Sequence, residues 1–482
     1  MPLILPGNVA TATASTGYNV ANSCRFNDGD SPDIRRTFGS AGDLDKWTFS
    51  CWYKRSAISS GTQRLFGAGS NNTTIYFSSS DQLAFYDATL DTGWDVQDTN
   101  HTKFRDSSAW YHIVWTLDSA QAVAANRVKC YINGTQQTLT KSGSGGDQNF
   151  TTAINTAAAH FIGKRPTHDT GYLDGYLAEV VFNDGQAYAA SDYGEFDEDS
   201  PTIWKPKDVS GLTFGTNGFY LDFEDSGTLG NDANGGTDWT ATNLAATDQS
   251  TDTCTNNFAT LNFLDNYYSG ATLSEGNLLQ VTDTHTGSSS GESSPVISTI
   301  GVSSGKWYSE VKFVSTAEHD YIRVGVTSNQ TGPGNDTAVL GNLANSYGLY
   351  FNSGDLYDGN GGTATSYGSA IGVGDIVGIY LDLDNNKLYF SDNGSLISST
   401  GISITDPAST NLGFYFFGGS DESRNTATLA WNYGGCPAFA ISSGNTDDNG
   451  YGNFEYSPNI TGDSVAKKFY SLNSKNLAEF GG

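Results

Sequence analysis

Charge is scarce in this 482-residue sequence. Only 16% of its residues are Asp, Glu, Lys or Arg, where globular proteins carry about 25%. No window shows the 3.6-residue apolar period of an amphipathic helix. Basic residues are scarcest: 24 Lys and Arg stand against 52 Asp and Glu, a net charge of −28. Such a field repels phosphate backbones and anionic membrane surfaces, which argues against a nucleic-acid partner. No stretch approaches the ~20 apolar residues of a membrane span, so membrane insertion is not expected. Five cysteines (Cys24, Cys51, Cys130, Cys254, Cys436) are odd in number and widely spaced, with no C-x-x-C. That excludes a zinc ribbon and a disulfide framework and leaves buried thiols. The opening "MPLILPGNVATATAS" has no basic start, and Pro6 interrupts its short apolar run. No signal peptide is expected. There is no phosphate-binding G-x-x-x-x-G-K-[ST]. The six histidines form neither H-x-x-x-H nor a Ser-His-Asp arrangement.

What is abundant points to strands and turns. Glycine numbers 57 and aromatics make up 13%, against a usual ~7% glycine. Between 21 and 205, "WTFSCWYKR" (47–55), "WYHIVWTLD" (110–118), "RVKCYING" (127–134), "HFIGKRP" (160–166) and "GYLAEVVFND" (175–184) read as strands. Asn133-Gly134 predicts a two-residue hairpin turn. Residues 206–265 turn polar, rich in Thr and Asn, and read as a connector. A second β-region spans 266–435, with strands in "GKWYSEVKF" (305–313), "YIRVGVTS" (321–328), "YGLYFNSG" (347–354), "NLGFYFFGG" (411–419) and "TATLAWNYG" (426–434). Residues 436–482 form a polar closing segment and 1–20 an anchoring one. The fold class expected is all-β: two antiparallel sandwiches joined by a polar connector.

The acid-rich "GDIVGIYLDLDNNKLYFSDNGS" (374–395) tests whether these acids do chemistry. Val377, Ile379, Leu381 and Leu383 alternate onto one buried face. Asp384-Asn385-Asn386 and Asn393-Gly394 supply tight turns. As a calcium loop, Asp382-x-Asp384-x-Asn386 has Lys387 where glycine belongs and no closing Glu. "NTDDNG" places Asn445, Asp447 and Asn449 with Gly450 following, but Tyr456 stands where Glu would close the loop and Glu455 comes one place early. Turn chemistry accounts for both stretches. No cofactor is expected; a structural calcium has no complete motif.

These pieces carry resemblances. "WTFSCWYKR", "WYHIVWTLD", "VKCYING", "FIGKRP" and "GYLAEVVFNDGQAY" resemble, in that order, laminin-G-like domains of the concanavalin A-like lectin/glucanase class over 21–205. "SSGKWYSEVKF", "RVGVTS", "SYGLYFNSGDLYDGNGG", "GVGDIVGIYLDLDNNKLYFSDNG" and "NLGFYFFGGS" resemble a SPRY domain over 266–435. The combination, with "MPLILPGNVATATAS" and "TNLAATDQSTDTCTNNFATLN", is similar to a kind of bacteriophage virion protein. The resemblance implies two concanavalin A-like jelly-roll sandwiches on a tail fibre, receptor-binding protein or head decoration. It also implies virion partners, a homo-oligomer (a trimer first), and a location in the virion after synthesis in the host cytoplasm. The anchor expected is "MPLILP".

An enzyme on this scaffold needs acids on alternate strand residues, E-x-D-x-x-E or E-x-D-x-E. The nearest stretch, "GEFDEDSP", offers Glu195 and Asp197 without the third acid. It reads as a solvated loop, so a polysaccharide depolymerase is disfavoured and no catalytic residue is expected. Binding remains, to a host-surface glycan through rim loops. Loops 328–346 and 352–370 offer Asn335, Asp336, Tyr357, Asp358, Asn360 and Tyr367: amides and acids for sugar hydroxyls, tyrosines for a sugar's apolar face. In the first region "YDATLDTGWDVQDTNHTKF" (86–104) offers Trp94 and His101. His112 and His160, inside strands, are expected to be structural.

Overall fold

A computed structural model of the chain describes residues 17–69, 73–87, 94–98, 103–142, 146–166, 168–265, 271–282, 295–316, 322–329, 339–359, 362–421, 426–461 and 467–481; for 94–98 and 141–142 it describes the backbone alone. Nearly all of it is β. The chain divides into two compact units, Ala14–Thr255 and one containing Asn256–Gly482.

The first unit is a sandwich of two antiparallel sheets. One runs in the order Thr135–Gln136, Val128–Ile132, Trp110–Asp118, Lys46–Arg55, Gly175–Asp184, Ser23–Phe26, Gln249–Ser250. The other runs Leu139–Ser142, Trp94–Asp98, Leu83–Asp87, Thr73–Phe77, Gln63–Ala68, Ala159–Ile162, Asp33–Thr37, Thr240–Thr242. Alternate residues of the central strands meet between the sheets: Trp47, Phe49, Cys51 and Tyr53 from one, Ile113, Trp115 and Leu117 from its neighbour, against Phe66, Ile75, Phe77 and Phe85 opposite. The alternation slips once. Leu177 faces this core, and so do Val180 and Phe182, because a bulge separates Ala178 from Val181 in the pairing. Glu179 occupies the bulge with φ of +50°. Asn133 and Gly134 make the expected turn, with φ of +46° and +76°.

The connector expected at 206–265 is corrected. Phe219–Leu221 pairs with Gly175–Asp184, Thr240–Thr242 with Asp33–Thr37, and Gln249–Ser250 with Ser23–Phe26. Residues 206–255 thus complete the first sandwich, in strands of two or three residues that are too short to show a period. Residues from 256 onward belong to the second unit, where Phe258 bridges Asn473 and Leu261 bridges Ser298.

The second unit has a larger sheet in the order Thr272–Ser274, Leu279–Val281, Ala427–Asn432, Lys306–Thr316, Ile376–Asp382, Lys387–Asp392, Ser395–Leu396. Its second sheet runs Val296–Ile297, Phe416–Asp421, Ile322–Thr327, Ser346–Tyr350, Leu356–Tyr357, Ala364–Thr365. Val377, Ile379, Leu381, Leu388 and Phe390 are fully buried, as their alternation predicts. Asp382 and Asp384 both bind Lys306, and Asp382 also takes the amide of Asn385. Asp447 receives the backbone N–H groups of Asn449, Tyr451 and Ser471, the Ser471 hydroxyl and the Asn476 amide. Protein donors therefore occupy the principal acids of both calcium-like strings. Four of the five cysteines are buried, Cys254 is half-buried, and among the described residues none forms a disulfide.

The polar closing segment lies across the outer face of the larger sheet. Phe454, Ile460 and Phe469 pack on Tyr308, Tyr380 and Tyr389. Tyr470–Ser471 pairs in parallel with Lys306–Thr316, and a short helix, Ser474–Phe480, is capped by the Asn473 side chain. Glu310, in the middle of Lys306–Thr316, is fully buried beneath this segment. Its carboxylate accepts from the backbone N–H of Glu455 and Tyr456, the Tyr308 hydroxyl and the Asn432 amide at 2.7–3.0 Å.

Burial raises the Glu310 carboxyl from 4.5 to about 7, against the pull of those four donors. A carboxyl so raised holds its proton better in the folded state. Its contribution is therefore complete below pH 4.5 and is lost as pH rises through 7. Glu310→Gln removes this titration. The stability of the native chain minus that of the variant, from urea unfolding, is expected to fall by about 2–3 kcal/mol between roughly pH 5 and pH 8. A flat difference would refute the assignment.

Candidate functional site

The site sits on the outer face of the first unit's Thr135-to-Gln249 sheet. Val114 and Val181 point away from the core on that face. Residues 188–214 cover them with Tyr188, Ala190, Tyr193, Val209, Leu212 and Phe214. Within this cover a hairpin pairs Gly194–Phe196 with Trp204–Pro206. Asp197 closes its turn by accepting the N–H groups of Asp199 and Ser200, and it binds Lys205 at 3.3 Å.

Trp204 wedges the hairpin against the sheet. A Cβ at Gly134, in the predicted turn, or at Gly194, in the hairpin, would overlap its indole, so both positions need glycine's bare backbone. The indole N–H donates to His112 Nδ1 at 2.9 Å, and the two rings stack with centroids 5.9 Å apart. Indole only donates, so Nδ1 is an acceptor and Nε2 carries the imidazole proton toward Ser50 Oγ, 3.0 Å away. Burial pushes His112 down to about 3, so it stays neutral across physiological pH. Phe196 meets Trp204 edge-on at 4.9 Å and is 46% exposed.

Beside this wedge runs an open groove of about 370 Å³, lined by Tyr131, Ser191, Glu195, Phe196, Trp204 and Lys207, among others. Its aromatic walls suit the apolar face of a ring-shaped ligand. Its hydrogen-bonding groups are the Ser191 hydroxyl, the half-exposed Glu195 carboxylate, 3.6 Å from Lys205, and Lys207, which donates to the Ser191 carbonyl at 3.1 Å.

The residues expected from the sequence lie elsewhere. His101, Asn335, Asp336 and Asn360 fall outside the described residues. Trp94 opens the strand Trp94–Asp98, its backbone paired with Asp87; its side chain lies outside the described residues. Tyr357 is half-buried, and the Arg323 guanidinium lies over its ring at 3.6 Å, covering a face expected to stack on a sugar. Asp358, next to it, is half-buried. Tyr367 turns its ring edge-on to Phe390, 6.2 Å away, and burial pushes its hydroxyl up to about 12. The two tyrosines thus serve different neighbours. Tyr131, Phe196, Trp204 and Lys207 were missed; an exposed phenylalanine among acids in "GEFDEDSP" was the available signal.

A second cluster is closed on itself. Glu179 accepts from the Tyr220 hydroxyl at 2.8 Å and from Tyr18 at 3.3 Å, and burial raises its carboxyl to about 8. Among the described residues no group of three or more His, Cys, Asp or Glu is placed to hold a metal.

Residues 29–189 match the model of the concanavalin A-like lectin/glucanases superfamily, and residues 306–427 match that of the SPRY domain. No curated protein matches the chain. Among solved structures, the SPRY domain of human HERC1 is 16% identical over 37% of this chain and 99% of its own, with a TM-score of 0.28. A Bacteroides ovatus protein assigned a carbohydrate-binding role is 14% identical over 46% of this chain and 58% of its own, at 0.32. A heptameric SAP-like pentraxin from Limulus polyphemus is 14% identical over 36% of this chain and 80% of its own, at 0.27.

The wedge can be tested by substitution. Gly194→Ala is expected to lower the first unit's stability in denaturant unfolding by about 1–3 kcal/mol, because the indole must move. Gly211→Ala, where a Cβ meets nothing within 4 Å, should stay within about 0.5 kcal/mol. Equal effects would show that the indole is not held.

Proposed function

We propose that this protein recognises carbohydrate through its first sandwich. One observation carries the reading: an open groove in a lectin-like unit, where Tyr131, Phe196 and Trp204 converge with Ser191, Glu195 and Lys207. Sugar sites need this mixture of flat apolar surface and a few hydrogen-bonding groups. The lectin/glucanase match over 29–189 supports it.

The finer reading is display on a phage particle, as a tail fibre or receptor-binding protein for a host-surface polysaccharide, in trimers that add avidity to weak single sites. It rests on the resemblance of the opening segment and of residues 242–262. Antibody labelling of purified virions tests it: label on the tail supports it, label over the head favours the decoration role, and particles without label refute both.

A glycan array followed by titration calorimetry tests recognition itself. Phe196→Ala is expected to weaken binding about tenfold, roughly 1.4 kcal/mol, with unchanged thermal unfolding because the ring is half exposed. Binding undiminished in this variant would place the site elsewhere. Because His112 stays neutral down to about 3, the indole stays anchored, and affinity for an uncharged glycan should be level between roughly pH 5.5 and 8. A loss of affinity near pH 6.5 would show that the histidine titrates.

A further inference from the structure

We infer that the groove sorts glycans by charge, accepting uncharged or amine-bearing pyranoses and rejecting polyanionic ones. This rests on the carbohydrate reading and adds the class of sugar. The hairpin beside the groove carries four acids in five residues: Glu195, Asp197, Glu198 and Asp199. Two cations stand against them, and both are engaged. Lys205 lies between Asp197 at 3.3 Å and Glu195 at 3.6 Å. Lys207 is directed to the Ser191 carbonyl. Asp197 is buried and committed to the turn, while Glu195, Glu198 and Asp199 face solvent.

A uronate, sulfate or phosphate entering here meets one lysine already bonded to a carbonyl and a rim of carboxylates. The chain's net charge of −28 adds a repulsive field beyond the groove. An ammonium on a sugar meets the opposite: Glu195 at the groove wall and two exposed carboxylates beside it. An uncharged sugar feels neither and is held by the aromatic walls. The rim acids are solvated, so their influence must be screened by salt.

The experiment uses the full chain on an array of neutral, amine-bearing (chitosan-type) and polyanionic (polyuronate and sulfated) glycans. It is read at about 20 mM and about 300 mM NaCl, where the Debye length falls from about 20 Å to about 6 Å. Neutral ligands are expected to bind equally at both, and amine-bearing ligands several-fold more weakly at high salt. Polyanions should bind at neither. The double variant Glu198→Gln, Asp199→Asn should reduce the salt effect on amine-bearing ligands by at least half. Polyanion binding that Phe196→Ala abolishes would overturn the charge selection and leave carbohydrate recognition standing. No binding to any class would overturn both.

Discussion

Side chains on a strand alternate between two faces, and in each unit of this protein the central strands of one sheet are covered on both sides. Everything else depends on that double burial. A sandwich needs one face of each sheet. The second face must be covered by something, and here the chain supplies it from stretches that look like connectors. Residues 188–214 cover Val114 and Val181 in the first unit. Phe454, Ile460 and Phe469 cover three tyrosines in the second. The covers are polar and turn-rich, so apolar area alone does not seat them. A buried carboxylate helps in the second unit, where Glu310 gathers two backbone N–H groups of the covering segment.

The groove follows from how the first cover is made. A hairpin lifted from the sheet by an indole leaves a channel beside it, and the same hairpin supplies that channel's aromatic and acidic walls. The wedge depends on two glycines that line the groove, Gly134 and Gly194, and on a neutral histidine that is not part of its lining. Specificity and stability are therefore coupled through one side chain: a change that moves Trp204 alters the groove and the seating of the cover together.

Much of this was legible in the sequence. The strands Trp110–Asp118 and Gly175–Asp184 begin and end where their apolar pattern does, because long alternating runs between turn residues admit one reading. The turns at Asn133-Gly134 and Asn393-Gly394 declare themselves through residues that tolerate positive φ. Thr240–Thr242 and Gln249–Ser250 were not legible, since a strand of two or three residues has no period and its pairing partner lies some 200 positions away. The site was missed for a related reason. Glu195 and Asp197 stand out as chemistry, while Phe196 between them gains meaning only when Trp204 and Tyr131 are brought beside it. Tyr357 illustrates the converse, because the Arg323 that lies over it is more than thirty residues earlier.

Glu179 has one more implication. Leu177 and Val180 both reach the core because one supernumerary residue sits between the paired positions Ala178 and Val181. Strike it out, and inward and outward positions would follow one another without interruption. The ladder has no use for this amino acid. Its left-handed backbone is a standing cost of order 1–3 kcal/mol, so the reason for keeping it lies off the sheet, in the two phenols it draws together. The insertion behaves as a peg that fastens the start of the described chain, at Tyr18, to a strand already complete.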